Sequence, residues 1–175
     1  MIDWPLLLKS ALLCGLALSL VLTAIAAISA AIAPDMWIGD YPRDIKEMYG
    51  PMSARAARIR PFVAVLFFFA VLAIPILGLF VLGSSVGSIP FLPALVFSVI
   101  VLLVFNGFDL LVLDWLFFCT IQPRQMVLPG TEGNPAYRDY RFHFNGFLKG
   151  LGFSLVGGFV VACGWMVTQI IITQQ

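Results

Sequence analysis

The chain has 175 residues, of which 61% are hydrophobic and 11% charged, with a formal net charge of +1. Soluble domains carry about 45–50% apolar and about 25% charged residues, so a water-soluble globule is excluded. A charge so close to balance gives no reason to expect nucleic acid or an acidic substrate as partner.

The length suits a single domain covering 1–175, and four apolar runs within it reach the length of about 20 residues that a helix needs to cross a hydrocarbon core. These predict spans near 10–33, 62–83, 92–118 and 147–172. The fold class that follows is an all-α integral membrane protein, its four transmembrane helices in an antiparallel bundle with short interfacial helices in the two charged loops.

The first run follows Lys9 and ends in Ala31-Ile32-Ala33, which resembles a secretory signal. Its length, Pro34 just after the apparent cleavage point and the arginines that follow argue that it is retained as a span. Ala11, Gly15, Ser19, Thr23, Ala27 and Ala31 repeat every fourth residue along it as one ridge of small side chains. Lipid provides no hydrophobic pull between helices, so such ridges favour association by letting backbones approach.

The first loop carries Arg43, Lys46, Arg55, Arg58 and Arg60. Asp40 or Tyr41 with Pro42 is placed to start a short helix through about Met48, stopped by Gly50-Pro51. A second short helix is predicted from Ser53 through Arg60, laying its arginines among anionic headgroups. Span two is bulky, with Phe67-Phe68-Phe69 and Phe80, and Pro75 predicts a kink near its middle. The uncharged turn 83–90 is short enough to tie spans two and three as neighbours.

Span three contains Asn106, Asp109 and Asp114. At 100° per residue Asp109 lies about 60° to one side of Asn106 and Asp114 about 80° to the other, so one wide face holds all three. Counting from Phe91, they lie about 27 and about 35 Å along the helix, close to the charged loops. Carboxylates in a span need a partner or water. The candidate polar site is therefore Asn106, Asp109 and Asp114 with Arg58, Arg141 and His143, and Arg141 or Arg58 is the expected partner of Asp114. The spacing lacks a metal-site signature, and no metal or cofactor is expected.

The second loop has a turn-rich stretch at Pro123, Pro129-Gly130 and Gly133-Asn134-Pro135. Tyr137, Tyr140, Phe144 and Phe147 then recur at helical spacing, predicting an interfacial helix that leads into span four. Span four repeats the small-residue ridge in Gly146, Gly150, Ser154, Gly158 and Ala162. The economical arrangement packs spans one and four together through their ridges; a homodimer through one ridge is the rival. The cysteines Cys14, Cys119 and Cys163 lack the paired spacing of zinc sites or disulfide frameworks and are read as buried small hydrophobes.

Nine of the ten Lys and Arg residues fall in or beside the two loops. By the positive-inside rule the loops are cytoplasmic and both termini outside, with Lys9 snorkelling to the outer headgroups. Asp40-Tyr41-Pro42, Leu113-Asp114-Trp115-Leu116, Pro129-Gly130-Thr131-Glu132-Gly133 and 137–144 (Tyr-Arg-Asp-Tyr-Arg-Phe-His-Phe) resemble a group of small, uncharacterised four-span bacterial membrane proteins. That resemblance implies a bacterial inner membrane and transfers no function.

Three functional readings follow. The first is a non-enzymatic accessory, assembly or regulatory component, whose partners are the bilayer, anionic headgroups at the arginine-rich loops, and another membrane protein or a second copy of itself. The second is a homo-oligomeric transporter or channel using Asp109 and Asp114, and the third an enzyme acting on lipid at the cytoplasmic interface.

Overall fold

The computed structural model describes residues 3–173, which are helical or in turns, without strands. Four helices are long and apolar enough to cross a membrane. Helix α1 spans Trp4–Ile32; α2, a short helix, spans Arg43–Tyr49; α3 spans Ala54–Val86; α4 spans Phe91–Phe108 and continues in π-helical winding over Asp109–Ile121; α5 spans Tyr140–Thr173. Two 3-10 turns, Pro34–Asp40 and Pro135–Arg138, complete the loops.

The helix starts follow capping chemistry. Asp3 accepts from the Leu6 N–H at 3.1 Å with Pro5 in the first turn, and Ser53 accepts from the Ala56 N–H at 3.2 Å. Asp139 accepts from the Phe142 N–H at 2.9 Å, so α5 begins at Tyr140, and Tyr137 belongs to the preceding turn. Each of these contacts satisfies one of the four N–H groups that a helix start leaves without an internal partner. Gly50 ends α2 at φ +90 and Gly87 ends α3 at φ +81, conformations that exact a steric cost from any residue with a Cβ.

The predicted short helix at Ser53–Arg60 is not separate. It runs straight into span two as α3, through Pro61 and Pro75. A proline removes one backbone bond, and the alanines around the arginines favour helix enough to carry the chain past it.

Helix α4 is the centre of the packing. It lies against α1 on one side and α5 on the other, while α3 packs chiefly on α1. Leu18, Leu22, Leu79, Phe97, Val101, Val161 and Trp165 form the main apolar cluster. The expected contact between α1 and α5 is replaced: both small-residue ridges face α4 and not each other. A Cβ on Gly15 would lie 2.6 Å from Val104 Cβ, and one on Gly158 would lie 2.9 Å from the Val99 backbone nitrogen. Gly150 abuts Asn106, and Ser19, Ser154 and Ala162 are buried. The reason is geometric. One helix between two ridges allows both to approach a backbone closely, whereas ridges packed on each other would leave the Leu- and Val-rich α4 outside.

The outward surfaces are apolar, with Phe62, Val65 and Phe153 each at least 70% exposed. Such surfaces fit lipid contact. The three cysteines are free; Cys119 is buried as expected, Cys14 reaches the Ile74 carbonyl with its Sγ at 3.6 Å, and Cys163 is exposed, against expectation.

Candidate functional site

The two loops lie at the same end of the helices and pack into one small apolar cap. Tyr41 donates to the Met126 carbonyl at 3.0 Å and stacks edge-on with Phe118 at 4.9 Å. The buried Tyr137 hydroxyl accepts from the Leu128 N–H at 2.9 Å and lies 2.6 Å from Thr131 Oγ1. With Ile45 and Cys119 these groups form a second apolar cluster.

Beneath that cap is a cavity of about 680 Å³, within the range of about 300–1,000 Å³ usual for ligand pockets. One wall is the last two turns of α1, where Thr23, Ala27 and Ala31 continue the small-residue ridge beyond its contact with α4. The other wall is the π-helical continuation of α4. Trp37, Asp40 and Tyr41 overhang it from the first loop, Phe67 and Phe105 close its inner end, and His143 enters from α5. Small side chains therefore serve close packing in the first half of α1 and make room in the second.

The π winding decides which polar groups share this space. Residues five apart on an α-helix are about 140° apart, so Asp109 and Asp114 would sit at the two edges of a wide face. π-helical bonding joins residue i to i+5 and stacks them about one turn apart. Both aspartates consequently line the same cavity. The winding ends at Gln122, whose left-handed φ of 52 closes a Phe117 carbonyl bond from its N–H at 2.7 Å.

His143 is the hub. Its Nδ1 lies 3.0 Å from Asp114 Oδ1, while its buried Nε2 has no hydrogen-bond partner. The ring is 5% exposed and packs edge-on against Phe118 at 4.7 Å. This corrects the expected partner of Asp114: its close contact is with His143 and not with Arg141 or Arg58. Both arginines are exposed and neither lines the cavity. The cause is again the winding, which turns Asp114 inward toward α5.

Asn106 also separates from the aspartates. Its Nδ2 donates to the Phe147 carbonyl at 3.2 Å in the seam between α4 and α5. The helix-packing residues Gly150 and Gly158 lie in that same seam.

Asp40, read from the sequence as a helix cap, is the residue that reasoning missed as a site member. The residue is exposed at the mouth, yet the protein on the cavity side partly desolvates the carboxyl and raises it above the ordinary carboxylate range. Arg60 and Lys46 pull it back down, and Asp114 pushes it further up. Burial likewise raises the Tyr41 phenol. The signal available in the sequence was adjacency: Asp40 follows Trp37 in a segment too apolar to be a solvated loop.

Three carboxyls and one imidazole thus converge on a space walled by aromatic and aliphatic side chains. Among the described residues no group of His, Cys, Asp or Glu is arranged to hold a metal ion. The chemistry on offer is electrostatic: carboxylates attract a positive charge, and the aromatic residues Trp37, Phe67, Tyr41 and Phe105 line the same space, where a ring face turned to a cation adds to that attraction. No protein-family model, curated protein or solved structure matches this chain.

Proposed function

We propose that this chain is a non-enzymatic multi-pass membrane protein that captures an amphiphilic organic cation in the cavity between α1 and the π-helical end of α4. The observation that carries this reading is the convergence of Asp40, Asp109 and Asp114 on one aromatic-walled space. Ionisable groups within a membrane span are costly and are retained where they meet a substrate, an ion or each other. Here they meet at a cavity, and the positive head of an amphiphile satisfies the carboxylates while its apolar body lies against Leu22, Ala26 and Phe67.

In this reading the four long helices form an antiparallel bundle in the bacterial inner membrane, the arginine-rich loops facing the cytoplasm and both termini outside. Arg55, Arg58 and Arg60 then meet anionic headgroups, since all three are exposed near the start of α3. The cavity lies at the cytoplasmic interface, open to a molecule already partitioned into the bilayer.

The test is equilibrium binding of radiolabelled tetraphenylphosphonium to the protein in lipid nanodiscs, with empty nanodiscs as background. Saturable binding is expected, weakened about tenfold or more, or about 1.4 kcal/mol, in the Asp109→Asn/Asp114→Asn double variant. Tetraphenylborate, the same shape with a negative charge, should not compete. Equal binding of both ions, or none above background, would reject the reading.

A second reading rests on the Asp114–His143 pair, which is also the arrangement of a general base held in one tautomer by a carboxylate. Lipid extracts incubated with the purified protein and analysed by mass spectrometry should show a converted headgroup species if the pair is catalytic.

A further inference from the structure

We propose that the cavity is an exchange site, in which entry of the organic cation expels a proton from the Asp40, Asp109, Asp114 and His143 set. This rests on the cation-binding reading above and names the coupling that such a site imposes.

The argument begins with charge in a confined space. Carboxyls that share one confined site ionise at one another's expense, because each negative charge raises the cost of the next. Three of them line this cavity. The countercharges can be enumerated by element. Helix α1 contributes only Thr23, which is uncharged, and the first loop contributes Asp40 and Tyr41. Arg60 of α3 and Lys46 of α2 act on Asp40, at the mouth. The π segment contributes Asp109 and Asp114, with Cys119 behind them, and α5 contributes His143.

His143 has one nitrogen on Asp114 and its other buried without a partner, so the pair can hold a proton without any other group moving. Asp40, which lines the same cavity at its mouth and feels the charge of Asp114, is a second place for one. When empty, the set neutralises itself by retaining protons. A bound cation supplies the same positive charge, so an O–H or imidazolium N–H bond breaks, its electron pair stays on the protein and the proton passes to solvent. One positive charge enters and one leaves, and no co-reactant is needed. The exchange couples cation occupancy to pH: binding strengthens as pH rises, by up to about tenfold per pH unit for a one-proton exchange.

The experiment is calorimetric titration of nanodisc-embedded protein with tetraphenylphosphonium at one pH in two buffers, phosphate and Tris, whose own ionisation enthalpies differ widely. Proton release makes the apparent binding enthalpy differ between the buffers in proportion to the protons expelled; the Asp114→Asn and Asp109→Asn variants should reduce that difference. His143 is the one histidine of the chain, so its imidazole NMR signals give a second readout on the unmodified protein. Saturating cation should shift their titration midpoint to lower pH.

Binding with identical enthalpy in both buffers and an unmoved histidine midpoint would overturn the exchange while leaving cation capture intact. Failure of the cation to bind at all would remove both.

Discussion

His143 and Asp114 show how one pair concentrates the energetics of the site. The contact at 3.0 Å holds a buried ring, and a ring nitrogen left unpaired in a buried place costs about 1–3 kcal/mol. Asp114→Ala should destabilise the purified protein by about that amount, because Nδ1 then joins Nε2 without a partner. Adding His143→Phe should recover part of the loss, since both buried nitrogens disappear. Thermal unfolding of the single and double variants in detergent checks it, and strictly additive losses would contradict the pairing. Asp40 makes a different prediction. Its carboxyl is raised by burial, so its contribution to stability is complete below the ordinary carboxylate range and is lost as pH climbs through the raised value. Asp40→Asn should therefore flatten the decline that begins at the ordinary carboxylate range and leave the variant relatively more stable at neutral pH. Melting temperatures across that interval decide it.

At the scale of elements, glycines separate packing from mere composition. Gly150, Gly157 and Gly158 of α5 all meet α4 so closely that an added Cβ would collide. Gly146 and Gly152 lie on the same helix with nothing within 4 Å of their Cβ positions. Gly158→Ala should cost about 1–3 kcal/mol, because the obstruction is the Val99 backbone and cannot rotate away. Gly152→Ala should be neutral or stabilising by about 0.5–1 kcal/mol, since it only removes glycine's entropy in a helix. Parallel melting curves of the two variants provide the comparison; equal effects would mean that the α4–α5 seam does not govern stability. The repeat in both ridges was legible in the sequence. Its partner was not, because spacing shows which face is small and says nothing about which neighbour fills it.

At the scale of the whole molecule, the packed loops place the end of α1, the start of α3, the end of the α4 continuation and the start of α5 together. The proposed orientation then predicts a labelling pattern. In a cysteine-free background, an impermeant maleimide applied to intact cells should label Ser85→Cys and leave Glu47→Cys and Glu132→Cys unlabelled until the membrane is opened. These are exposed positions of the hairpin and the two loops. The reverse pattern would invert the topology.

Composition and run length alone determined the number of long apolar helices and their approximate places, because apolar content and helix length are properties of the chain itself. Caps at Asp3 and Ser53 and the stop at Gly50 were local in the same way, each decided within a few residues. Asp109, Asp114 and His143 could be grouped from the sequence by depth, but the contact between Asp114 and His143 was a tertiary matter. The α-helical period places the two aspartates about 140° apart, at the edges of one wide face, and the π winding stacks them closer together. Asp40 and the aromatic walls joined them because two loops distant in sequence fold over the same helix ends. Arg58 and Arg141 dropped out for the converse reason: proximity in depth along a helix axis does not determine the side of the helix on which a group emerges, and packing does.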